Sequence, residues 1–153
     1  MSAIQDVMLD EARQNFFHVV SSAANIDSKA FGFIAFESLM FTVMVALVSY
    51  TGSLFWCIPS MFFLASVVCM CVVAWLRKYP THDTEKVIDQ YGTRTGEEAA
   101  TQLAVDYAEL DADFSEIVYR KAEWLRRGLI IMGIGLILVG GMGVYLAISL
   151  FLL

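Results

Sequence analysis

The chain has 153 residues, of which 58% are apolar, and a mean hydropathy of +0.64. This is well above the roughly 45–50% apolar content of soluble domains, so the composition is that of one small integral membrane protein. A net charge of −6 argues against a chain that coats nucleic acid, while leaving room for one local basic pocket. Cys57, Cys69 and Cys71 share one apolar run with no Cys-x-x-Cys pair and no nearby His, which excludes a zinc site and a disulfide framework and leaves small packing residues.

In chain order, Ile4, Met8, Ala12, Phe16, Val19 and Val20 form one stripe of an amphipathic helix over Ala3–Ala23, with Asp6, Asp10 and Arg13 elsewhere. Its polar face is acidic where membrane-surface helices are basic, so packing on other cytosolic helices is expected. The region 1–29 lacks the basic-then-apolar order of a signal peptide, and no secretory processing is expected.

A first span follows over 30–51, interrupted by Glu37. Its Phe, Ile, Leu and Val side chains each favour insertion by about 0.3–0.6 kcal/mol, and together they outweigh the roughly 2.5 kcal/mol or more set against one acid. Thr51, Gly52 and Ser53 make a short turn, and 54–76 supplies a second span with Pro59 near its start, where a missing amide donor costs least. The spans form a hairpin within 30–76.

Tyr79 and Pro80 end that helix, Thr81 can cap a short one that Gly92 would close, and Thr95 with Glu98 forms a capping box that starts a long one. Along it, Leu103, Tyr107, Leu110, Phe114, Ile117, Lys121 and Trp124 recur at the a/d spacing of a coiled-coil seam, which predicts packing against partner helices. From Gly128 to Leu153 there is no charge, so 128–153 is a third span, and no Pro separates it from the helix before it. The region 77–127 is cytosolic. Lys29, Arg77, Lys78, Arg120, Lys121, Arg126 and Arg127 flank the spans on one side and the Tyr50–Ser53 turn has no base, placing the amino terminus and 77–127 in the cytoplasm and the carboxyl terminus at the outer face. Tyr50 and Trp56 suit the outer interface; Trp75, Tyr79 and Trp124 suit the inner one.

The expected fold is therefore all-α: three transmembrane helices and a small cytosolic helical bundle, the last span continuous with a long cytosolic helix. The cytosolic part is too short to bury a core alone, and a homo-oligomer, a tetramer, would supply the missing contacts. Leu103, Leu110, Phe114, Ile117 and Trp124 are its expected oligomerisation residues.

Three constellations carry candidate chemistry. Glu37, an ionisable group inside a span, faces either a water-filled path as part of a pore or gate, or bonds as a protonated carboxyl to Ser60 or Ser66 across the hairpin. Gly133, Gly140 and Ala147 are spaced by seven, as are Gly128 and Gly135, with Gly143 four before Ala147. They permit close helix packing, or, at Gly133 and Gly140, a pore wall or pivot. Arg94, Arg120 and Lys121, with Tyr107 and Tyr119 as stacking faces, are the candidates for binding a phosphate-bearing ligand. Lys121 also occupies a seam position, where one polar residue can fix register. Arg126 and Arg127 serve topology. His18 and His82 lack a nucleophile or further ligands, so neither catalysis, a metal nor a cofactor is expected.

Asn25, Asp27, Lys29 and Ala30 at the entry to the first span, and Ile117, Val118, Lys121, Leu125 and Gly128 leading into the last, resemble the Pycsar-type transmembrane effectors, and their SLATT-like relatives, of bacterial nucleotide-signalled antiphage defence. The resemblance implies a bacterial inner-membrane protein that senses a nucleotide or oligonucleotide made by a partner nucleotidyltransferase or cyclase. It further implies a ligand-gated ion channel or pore that depolarises the membrane in abortive infection. The alternative is a non-conducting scaffold or assembly subunit for a partner membrane protein.

Overall fold

A computed structural model describes residues 3–76 and 95–151. Helix α1 runs over Ala3–Thr51, a 3-10 turn over Leu54–Trp56, α2 over Cys57–Trp75 and α3 over Gly96–Phe151. The expected short helix after Thr81, and Arg94, lie outside the described residues.

Helix ends follow local chemistry. At the end of α1 the Gly52 amide donates to the Val48 carbonyl at 2.9 Å, with Gly52 at φ +63°, a conformation that a side chain would strain. Helix α3 begins where Thr95 and Glu98 predict, the Ala99 amide donating to the Thr95 carbonyl at 3.0 Å, with Glu97 and Glu98 in the first turn complementing the helix dipole.

The last helix is continuous from Gly96 to Phe151, as its sequence predicts, whereas the first is longer than the separate stretches expected from hydropathy. No Gly or Pro lies between Asn25 and Lys29, and α1 continues through them from the amphipathic stretch into the first span. The chain divides by packing into two compact units, Met1–Asn25 with Arg77–Arg120 and Ile26–Leu76 with Lys121–Leu153. These divisions fall four and seven residues before the expected ones at 29/30 and 127/128, because Ile26, Trp124 and Leu125 pack with span residues.

In the first unit Phe16, Ala23, Ala100 and Phe114 are buried. The Phe16 ring lies 5.6 Å from Tyr107 and 6.4 Å from Phe114 between centroids, the tilted arrangement aromatic pairs favour. In the second unit Ala30, Met70 and Val73 pack with Phe33, Trp124 and Leu129, and Met44, Trp56 and Phe63 with Leu47, Met142 and Leu146. There α1 and α3 run parallel, with α2 antiparallel to both. Trp56 is buried with Met44 and Phe63, because the short turn folds the start of α2 back onto α1. Tyr50 remains 90% exposed.

Apolar side chains cover the outside of this second unit, among them Leu39, Met61 and Ile137, while Asp27, Glu37, Ser60, Ser66 and Lys121 are buried. That inversion is what a lipid solvent requires, since polar groups must be satisfied internally. All three long helices are apolar enough to cross a membrane.

Candidate functional site

Burial on α1 recurs at Phe16, Ala23, Ala30, Glu37 and Met44, in steps of seven. On α3 it recurs at Phe114, Lys121, Gly128 and Gly135, again in steps of seven. The two registers bring polar groups together at two levels of the second unit.

At the first level the Lys121 ammonium donates to both carboxylate oxygens of Asp27, at 2.7 and 2.9 Å. The side chains are 2% and 5% exposed. A lysine in an apolar seam can keep its charge only beside such a partner.

At the second level Glu37 of α1, Ser66 of α2 and Gly128 of α3 meet. Gly128 is there because α3 runs close to α2: an added Cβ would stand 3.3 Å from the Cys69 Cβ and 2.7 Å from the Met70 Cε. The absent side chain exposes the Gly128 carbonyl to the Ser66 hydroxyl, which donates to it at 2.8 Å. Ser66 Oγ also makes a short hydrogen bond with Glu37 Oε1. A hydroxyl has one proton and two lone pairs. Ser66 Oγ therefore joins Glu37 of α1 to the Gly128 carbonyl of α3, tying three helices at one level. Glu37 Oε2 is buried with no partner among the described residues. Ser60, the other expected partner, donates instead to the Trp56 carbonyl at 2.8 Å.

The expected ligand residues are divided. Lys121 and Tyr107 turn inward, one held by Asp27 and the other against Phe16, whereas Arg120 and Tyr119 are exposed, Arg120 pairing with Glu116 at 2.6 Å. The seam assigned to partner copies is engaged within the chain: Tyr107 and Phe114 meet Phe16, and Trp124 packs against the Ala30 cluster, while Leu103, Leu110 and Ile117 are half-buried. Gly128 and Gly135 are the close-approach glycines, a Cβ added at the latter standing 3.3 Å from the Phe62 Cβ, whereas a Cβ added at Gly133 or Gly140 would meet nothing within 4 Å.

Asp27 was missed as the partner of Lys121, although a buried seam lysine demands an acid. The Gly128 and Gly135 contacts could be found by continuing the Phe114–Lys121 register. Among the described residues no cluster of His, Cys, Asp or Glu could hold a metal ion.

No curated protein and no solved structure matches the chain. The family model described as the Pycsar effector protein domain matches residues 11–152, a stretch that includes both polar levels and all three apolar helices. The chain therefore belongs to the Pycsar effector family, a membrane effector of antiphage defence whose membership implies a signal made by a partner cyclase.

Proposed function

We propose that the chain assembles into an oligomeric ion channel or pore, gated by the cyclase-made nucleotide acting on the part around Arg94, Arg120 and Tyr119, and that opening depolarises the membrane. The amino terminus and 77–127 lie in the cytoplasm of the bacterial cell, the carboxyl terminus at the outer face of the inner membrane, and a tetramer is the assembly tested first. The observation that carries this reading is Glu37, an acid in the middle of a span with one carboxyl oxygen unpartnered among the described residues. Such a group is costly in lipid and belongs to proteins that move ions or protons. Gly133 and Gly140, open on the protomer surface, suit close approach by helices of other copies or a pore wall.

In this reading the Glu37–Ser66–Gly128 chain holds the shut form, and opening breaks it. To move the assembly from 1% to 99% open the nucleotide must bind the open form more tightly by about 5.5 kcal/mol. The test is ion flux from liposomes containing the full chain, with cyclic mononucleotides and short oligonucleotides added one at a time. A nucleotide-dependent flux that falls several-fold in Glu37→Gln is expected. Silence under every nucleotide, with Glu37→Gln indistinguishable from the parent, overturns the channel. It favours the non-conducting scaffold, a reading supported by the complete enclosure of Glu37 within one protomer.

A further inference from the structure

A furrow of about 470 Å³ runs between α1 and α3 on the outside of the second unit, lined by Lys29, Gly32, Phe33, Phe36, Met132 and Leu136. Its existence follows from the sequence. Gly32 has nothing within 4 Å of where a Cβ would stand, so the floor is bare helix, and the Phe33 and Phe36 rings and the Met132 and Leu136 chains form the walls. From Lys29 to Phe36 the furrow extends about 10 Å along the helix axis. Only one lining residue is charged. Lys29 is exposed, and it has no carboxylate within ion-pair distance among the described residues.

An apolar channel closed at one end by an unpaired ammonium, at the point where the first span begins, matches one class of molecule in both parts. We propose that this furrow is a binding site for an anionic phospholipid, its acyl chain lying over Gly32 between the aromatic rings and its phosphate and acidic headgroup on Lys29. Juxtamembrane lysines attract acidic lipid through the same charge complementarity. A helix of a second copy fits the bare floor but not the end of the furrow, since it would take the Lys29 ammonium out of water with no anion in return. The site concerns the lipid environment of the protein and stands whether or not the protein conducts ions.

The experiment is native mass spectrometry of the full chain, extracted in detergent and titrated with phosphatidylglycerol or phosphatidylcholine of identical acyl chains. The parent protein should retain phosphatidylglycerol several-fold more than phosphatidylcholine. Lys29→Gln should remove that preference while leaving phosphatidylcholine retention unchanged. Gly32→Leu, which fills the furrow from an open position and so should fold, should lose both lipids, with helix content by circular dichroism as the control. Equal retention of the two lipids by the parent overturns the proposal, as does a preference that survives Lys29→Gln. Loss of oligomer mass in Gly32→Leu with lipid retention unchanged also overturns it and assigns the furrow to a second copy.

Discussion

The Asp27–Lys121 pair supports the most demanding quantitative test. At about 3 Å and an effective dielectric near 20, two unit charges attract by about 6 kcal/mol. Taking both out of water offsets much of that, so the pair as a whole adds little to stability. Losing one member is different, because it leaves behind a charge that is at most 5% exposed and lacks its ion-pair partner. Lys121→Met and Asp27→Leu should each destabilise the protein by about 3–5 kcal/mol. If they acted independently, the double variant would lose about 6–10 kcal/mol. Replacing both by apolar side chains removes the stranded charge, and the double variant should lie within about 1–2 kcal/mol of the parent. Unfolding in mixed micelles, followed by circular dichroism as a denaturing detergent is titrated in, measures all four corners of the cycle. A double variant as unstable as the sum of the singles would refute the argument, since the two charges would then not depend on each other.

Three further outcomes follow from the geometry. Ser66→Ala removes the hydroxyl between Glu37 and Gly128 and should cost about 1–3 kcal/mol, seen as an earlier transition in the same detergent titration. Gly135→Ala forces a Cβ to within 3.3 Å of the Phe62 Cβ, a contact with little room to give, whereas Gly133→Ala meets nothing within 4 Å. The first should lower the melting temperature of the protomer, and the second should leave it level or raise it through a helix propensity gain of up to about 1 kcal/mol. Phe16→Ala removes the ring between Tyr107 and Phe114 and should cost about 3–5 kcal/mol, seen as faster hydrogen exchange over 96–120 with exchange over 54–75 unchanged.

Much of the fold is legible in the sequence because helix signals are local. The Thr95–Glu98 capping box and Gly52 mark helix ends from a few residues of context, and the apolar runs mark the spans. The unit boundaries were not legible, because hydropathy reports where lipid begins and not where packing partners change. Asp27 and Lys121 are 94 residues apart, and their pairing needs the parallel placement of α1 and α3. Trp56 shows the limit of residue preference: its burial follows from the short turn that brings it onto Met44 and Phe63, which its residue type alone does not reveal. The glycines show what one more step of reasoning reaches. Gly128 and Gly135 are in phase with Tyr107, Phe114 and Lys121, and they pack; Gly133 and Gly140 are out of phase, and they face open space.

That shared phase runs through both units of the chain, and the residues that fill it change from one to the other. In the first unit the positions at Tyr107 and Phe114 are filled by large rings that pack on Phe16. Apolar burial gives helices no drive to associate in lipid, because acyl chains are as apolar as the side chains, and helices there hold through close contact and hydrogen bonds. The same positions are accordingly occupied by Gly128 and Gly135, which shorten the approach to α2 and free a carbonyl for Ser66. Lys121 begins the part of α3 that belongs to the second unit, and an ion pair there requires a specific partner at a specific height. A two-residue slip between α1 and α3 would leave aromatic and glycine contacts degraded but partly replaceable, whereas Lys121 would lose Asp27 altogether. Register between the two helices is therefore set by the pair, and a charge-reversed protein, Asp27→Lys with Lys121→Asp, should recover stability that neither single reversal retains.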